Sequence, residues 1–178
     1  MLRATISTLV LAIALVAAGC GGSDDETDPT AAWAADFCTA VTDWTDSLQE
    51  VTSEFTDTAN LSQDGLQSAA DDLRSSTDQL IDDIRGLGAP ETESGQEIEA
   101  SLEELSTTLE DEADKISAAI DDAGGITGIA SAVTAVSTSL SAMGAAFASS
   151  LQTIEDADAS GELQSALEDS PECAGIDG

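Results

Sequence analysis

The stretch "WAADFCTAVTDWTDSLQEVTSEF", residues 33–55, decides the fold. Its large apolar residues are Trp33, Phe37, Val41, Trp44, Leu48, Val51 and Phe55. The steps between them are 4, 4, 3, 4, 3 and 4, the spacing of one stripe on an α-helix. Strict alternation, the mark of a half-buried strand, is absent. A helix that is apolar along a single stripe needs partners to cover it. Asp28–Pro29 before the stretch reads as an N-cap followed by proline at the first helical position, so a helix is predicted over about 29–57.

Moving toward the C-terminus, the same period returns three times. A second helix is predicted over about 63–86, with Leu66, Ala70, Leu73, Leu80, Ile84 and Leu87 near one face; Gly86, Gly88 and Pro90 stop it. A third is predicted from Pro90, with Glu91 and Glu93 at its positive end. Its stripe is Ile98, Leu102, Leu105, Leu109, Ile116 and Ile120, and Gly124–Gly125 breaks it. A fourth covers about 126–157, with Ile129, Val133, Val136, Leu140, Met143, Phe147, Leu151 and Ile154. Ser160 can cap a short last helix carrying Leu163 and Leu167, which Ser170–Pro171 ends. The fold class is therefore all-α: an antiparallel four-helix bundle with a short C-terminal helix.

Toward the N-terminus the pattern changes. Met1–Leu2–Arg3 is a short basic start, and Ala4 to Ala18 is an uncharged apolar run. That is the layout of a secretory signal, and the run is shorter than the roughly 20 residues of a membrane-spanning helix. Ala17–Ala18–Gly19–Cys20 closes it and resembles the lipobox of bacterial lipoproteins. The resemblance implies cleavage before Cys20 and a lipid on its thiol, and two or more acyl chains anchor a protein stably. Residues 1–19 are thus read as a lipoprotein signal peptide, 20–28 as a lipidated, flexible acidic tether, and 29–178 as the bundle domain. The expected location is extracytoplasmic, held to the cell membrane by the lipid on Cys20.

With Cys20 lipidated, Cys38 and Cys173 remain, in an oxidising compartment, and two thiols pair in one way only. A metal site is the alternative, disfavoured by two distant cysteines and no histidine. Cys38 lies about ten residues, or roughly 15 Å, inside the first helix. The short helix after residue 160 climbs about as far before reaching Cys173, so an up-down-up-down bundle brings both thiols to similar heights. Three short stretches carry a wider resemblance: "DFCTAV" at 36–41, "GAPETESGQEIEASLEEL" at 88–105 and "PECAGI" at 171–176. They resemble small helical lipoproteins of high-GC Gram-positive bacteria. What the resemblance implies is a helical bundle with Cys38 bonded to Cys173, and no catalytic residues.

After cleavage the chain would hold 178 − 19 = 159 residues, one domain's worth. It would keep all 36 acids and three bases, Arg74, Arg85 and Lys115, a side-chain balance of 3 − 36 = −33. Nucleic acid is excluded as a partner, because its phosphates need a basic surface. The acids are scattered singly and in pairs such as Asp71–Asp72, the pattern of solvated helix faces. From Ala123 to Ile154 there are 32 residues without a charge. That is long enough to cross a bilayer, but Ser, Thr and Gly are frequent in it and no Lys or Arg flanks it. The expected reading is the most buried helix of the bundle; a face that meets a partner or a greasy ligand is the other option.

Histidine and tyrosine are absent, which removes His-based acid–base chemistry and Ser-His-Asp triads. A Ser–Lys dyad would need Lys115, which sits among Asp111, Glu112 and Asp114 and reads as part of surface ion pairs. "DDAGG" at Asp121 and "SDDETD" at Ser23 lack the spacing of a calcium-binding EF-hand. Asn60–Leu61–Ser62 fits a glycosylation pattern that a bacterial lipoprotein would not use. Trp33 and Trp44 lie three turns apart on one side and are expected in the core; a ligand-contact patch is the sharper alternative. No enzyme activity, cofactor or metal site is expected. The expected function is a binding or structural module at the cell envelope, its partners the membrane through the lipid and an envelope protein or small apolar ligand. The alternative is an acidic lipoprotein that gathers divalent cations.

Overall fold

A computed structural model describes residues 28–56 and 62–174; the side chains of residues 54–56 and 126 are not among those described. The leader, Cys20, the tether up to Thr27 and Asn60–Leu61 lie outside the described residues. Five α-helices follow one another: α1 Pro29–Thr56, α2 Gln63–Leu87, α3 Gly95–Asp121, α4 Gly125–Ala157 and α5 Glu162–Asp169. A single 3-10 turn, Pro171–Cys173, follows α5. No strand occurs among the described residues. The all-α bundle with a short last helix is the architecture observed.

Local chemistry explains the boundaries. Asp28 accepts the Thr30 amide on its side chain at 3.0 Å and the Ala32 amide on its carbonyl at 2.9 Å, so it is the N-cap of α1. Ser62 caps α2 by accepting the Gly65 amide at 3.1 Å. Gly88, just past α2, has φ +63°, a left-handed value that glycine adopts without steric cost. Helix α3 begins at Gly95, not at Pro90. Residues 90–95 first form a tight reversal, with the Thr92 amide on the Pro90 carbonyl and the Gly95 amide on the Thr92 carbonyl. The chain must turn back along α2 before it can coil again, so Glu91 and Glu93 lie in this reversal and Glu97 sits in the first turn of α3. Ahead of α5, the principal cap is Asp158, whose carboxylate accepts the Gln164 amide at 2.8 Å, while Ser160 makes only a long contact of 3.4 Å to the Glu162 amide.

The α1 stripe goes inward as its spacing requires: Trp33, Phe37, Val41, Trp44 and Val51 are buried and Leu48 is half-buried. Leu66, Leu73, Leu80 and Ile84 of α2 and Ile98, Leu102, Leu105, Leu109, Ile116 and Ile120 of α3 complete the core. Each such side chain contributes roughly 1.5–3 kcal/mol when fully buried. Both indoles are tied down: the Trp33 N–H donates to the Gly88 carbonyl at 3.0 Å and the Trp44 N–H to the Thr77 hydroxyl at 3.2 Å.

Successive helices run antiparallel and pack as neighbours, α1 on α2, α2 on α3 and α3 on α4. The α3–α4 pair is keyed by polar rungs. Ser94 donates to the Ala157 carbonyl at 2.6 Å, Ser101 and Ser150 share a 3.1 Å hydrogen bond, and the Ser139 hydroxyl lies beside the Glu112 carboxyl and helps to hold its pKa low. From Ser94 to Ser101 to Glu112 the steps on α3 are seven and eleven residues, and α4 repeats them in reverse through Ala157, Ser150 and Ser139. Two and three helical turns at matching heights fix the register.

The expectation that the uncharged helix is the most buried is overturned. Only 22 % of the most apolar window of α4 is buried. Its contact is one-sided: Ala132, Val136, Ser139, Met143, Ser150 and Ile154 face inward, and its other described side chains are open or half-open. Absence of charge does not make a helix buried. The outward hydroxyls of Ser131, Thr134, Ser137, Thr138 and Ser141 each donate to the carbonyl four residues earlier, at 2.8–3.1 Å. A helix that serves its own hydroxyls this way needs neither charges nor a cover of other helices. By length and composition alone α4 could cross a membrane.

A candidate binding trough between helices α1 and α4

The bundle is closed on three seams and open on the fourth. Helices α1 and α4 make no extended close approach. Across this seam the rings of Trp44 and Phe147 stand 6.3 Å apart at 38° and form a floor. Above that floor runs a trough. One part holds about 610 Å³ and is lined by Val41, Trp44, Leu48, Leu140, Gly144 and Phe147, with Thr42, Thr45, Asp46, Gln49 and Thr52 among its polar walls. The other, about 460 Å³, continues toward the α5 end over Phe37, Leu151, Ile154 and Leu167. Ala174 borders both. Each volume lies in the range of single small-molecule sites, which run to roughly 300–1,000 Å³.

Gly144 keeps the middle clear. A Cβ built there meets nothing within 4 Å, so the space over it is empty. Glycine inside a helix is destabilising by roughly 0.5–1 kcal/mol relative to alanine, and here no backbone strain requires it.

The end of the trough is closed by a strap. Cys38 and Cys173 form a disulfide with Cα atoms 5.0 Å apart, and both line the smaller cavity. The bond holds α5 and the 3-10 turn against α1, while Thr42 donates to the Glu172 carbonyl at 3.5 Å. The thiols thus meet at matching heights, as the bundle geometry anticipates. Leu163 is buried and Leu167 is half-buried, so α5 also contributes to the core.

Charge is partitioned around this site. Arg74, Arg85 and Lys115 lie on α2 and α3, each beside acids. Arg74 meets Asp114 at 2.5 Å and Asp78 at 4.0 Å, Arg85 meets Glu110 at 3.8 Å, and Lys115 meets Glu112 at 2.6 Å. No lysine or arginine occurs on α1, α4, α5 or the 3-10 turn. The trough instead has carboxylates on its walls: Asp46 midway, and Glu155, Asp158 and Glu168 around the smaller cavity. Asp158 is occupied with the Gln164 amide and the Ser160 hydroxyl, and Glu168 accepts from the Gln164 side chain at 2.9 Å.

Several sequence candidates resolve differently. Trp33 stacks on Phe37 at 5.3 Å and is enclosed, so the two indoles make no exposed patch; Trp44 alone borders the trough. The Lys115 pairing is only half a surface pair. Lys115 is exposed, but Glu112 is buried against α4, where Lys115 first and Ser139 second hold its carboxyl below the usual range. Among the described residues no group of three Asp, Glu or Cys side chains is placed to hold a metal ion. From the sequence alone the α4 face is only a second option for meeting a partner or a greasy ligand, and its pairing with α1 into a trough does not follow. Its signal is the uncharged run of α4, which reads first as burial.

Compared with known protein families, curated proteins and solved structures, the chain matches none of them.

Proposed function

We propose that this chain is a lipid-anchored, extracytoplasmic binding module of the cell envelope, of the kind found among small, cysteine-stapled helical lipoproteins, and that its ligand is a small apolar molecule seated between α1 and α4. The observation that carries the binding role is the open α1–α4 seam, with its apolar floor and its helix-weakening Gly144. The leader pattern and Cys20 support the location, and the Cys38–Cys173 bond fits an oxidising compartment. With histidine and tyrosine absent from the chain, binding rather than turnover is the role it suits.

Two measurements test this. Mass spectrometry of the exported protein is expected to find an N-terminal diacylated Cys20, and Cys20→Ser to release the protein into the medium; an unprocessed leader refutes the anchor. N-phenylnaphthylamine, an uncharged apolar dye, is expected to bind saturably, and Gly144→Leu to abolish that binding while the circular dichroism stays unchanged. Undiminished dye binding by folded Gly144→Leu places the site elsewhere.

A further inference from the structure

We infer that the trough selects a single-chain amphiphile with a cationic head, its tail lying over Phe147 and Leu140 and its head among Glu155, Asp158 and Glu168. The inference rests on the binding reading above and adds the chemistry of the occupant.

Shape excludes the bulkier alternative. The Trp44 and Phe147 rings are 6.3 Å apart, so α1 and α4 are bridged there by side chains. A partner helix, about 10–12 Å across, cannot sink between them. An extended alkyl chain, roughly 4 Å in van der Waals contact width, can run over them and along the seam. Leu48, Leu140, Gly144 and Phe147 give it an apolar bed in the larger cavity, and Leu151 and Ile154 continue that bed into the smaller one.

Charge decides the head group. Every element that walls the trough lacks lysine and arginine, so an anionic head would meet no counter-charge. Glu155, Asp158 and Glu168 line the smaller cavity. Among the described residues no hydrogen bond or ion pair engages Glu155, and Glu168 uses one oxygen on Gln164, so both can face an ammonium group. A neutral head would leave them merely solvated. Both carboxylates are exposed, so an ammonium beside them adds a solvent-screened attraction of the size of surface ion pairs.

Calorimetry on the full-length protein at physiological ionic strength tests this with three probes of one tail: decyltrimethylammonium, decyl glucoside and decanoate, all below micelle formation. The cation is expected to bind about threefold or more tighter than the glucoside, the size of effect exposed charge pairs produce, with decanoate weakest. Glu155→Gln with Glu168→Gln is expected to bring the cation down to the glucoside's affinity and leave the glucoside unchanged. Asp71→Asn with Asp72→Asn, an equal charge change on exposed α2 positions, is expected to do neither. Equal binding of cation and glucoside overturns the head-group inference while the trough reading stands. Equal loss in both double variants also overturns it, because bulk charge then explains the preference. Binding of none of the three probes overturns both readings.

Discussion

At the scale of single residues, two polar side chains do more than their surroundings announce. Thr77 is fully buried and is the acceptor for the Trp44 indole. It occupies the gap between Leu73 and Leu80 in the α2 stripe, where the sequence shows only a missing hydrophobe. Thr77→Val keeps the shape but leaves a buried N–H unpaired, so a loss of about 1–3 kcal/mol is expected in urea unfolding. Thr77→Ser keeps the acceptor and should lose clearly less; equal losses would show that the methyl, not the hydroxyl, matters. Glu112 is the second case. Its carboxyl is held low by Lys115 and then by Ser139, so its contribution is present above the ordinary value of 4.5 and fades as pH falls through its folded pKa. Glu112→Gln should therefore melt below the parent at neutral pH, and the two curves should converge in acid. The repulsion among the other acids is common to both proteins and drops out of the difference.

At the scale of elements, what could be read depended on which force wrote the pattern. The stripe of α1 was legible to within one residue at each end, because apolar spacing and an Asp–Pro cap agree. The start of α3 was not, since acids near a proline look the same in a reversal as in a first turn. The burial of α4 was misjudged because hydropathy registers the lack of charge and cannot see hydroxyls folded back onto their own carbonyls. The thiol heights were legible from helix rise alone. The strap they form spans a sequence separation of 135. Chain-entropy estimates for loops of that order are about 4–5 kcal/mol. Replacing both cysteines by alanine should remove a large part of that in denaturant unfolding. Hydrogen exchange should also quicken in α5 and the tail well before it does in α2 and α3, which have packed neighbours on either side. Uniform quickening would instead mean that α5 is integral to the cooperative core.

At the scale of the whole molecule, composition and architecture act together. The 36 acids against four bases make self-repulsion a global opponent of folding. Adding an inert salt such as sodium chloride should raise the melting temperature, since screening over about 8–10 Å weakens repulsion between exposed charges. The ion pairs of α2 and α3 are exposed on at least one side and contribute little that salt could remove. A melting point indifferent to salt would mean that the acids are spaced too widely to interact. The fold class and the core were recoverable from the residues. The trough was not, because an open seam is a relation between two helices that no single helix's pattern records.

One further consequence belongs to α4. A flank that is blank for 32 residues, set in the same small body as the acid-rich α2 and α3, makes the centre of negative charge fall away from the centre of mass. The protein therefore carries a permanent electric dipole. Close to a negatively charged surface it experiences a torque that swings the uncharged outer face of α4 toward that surface.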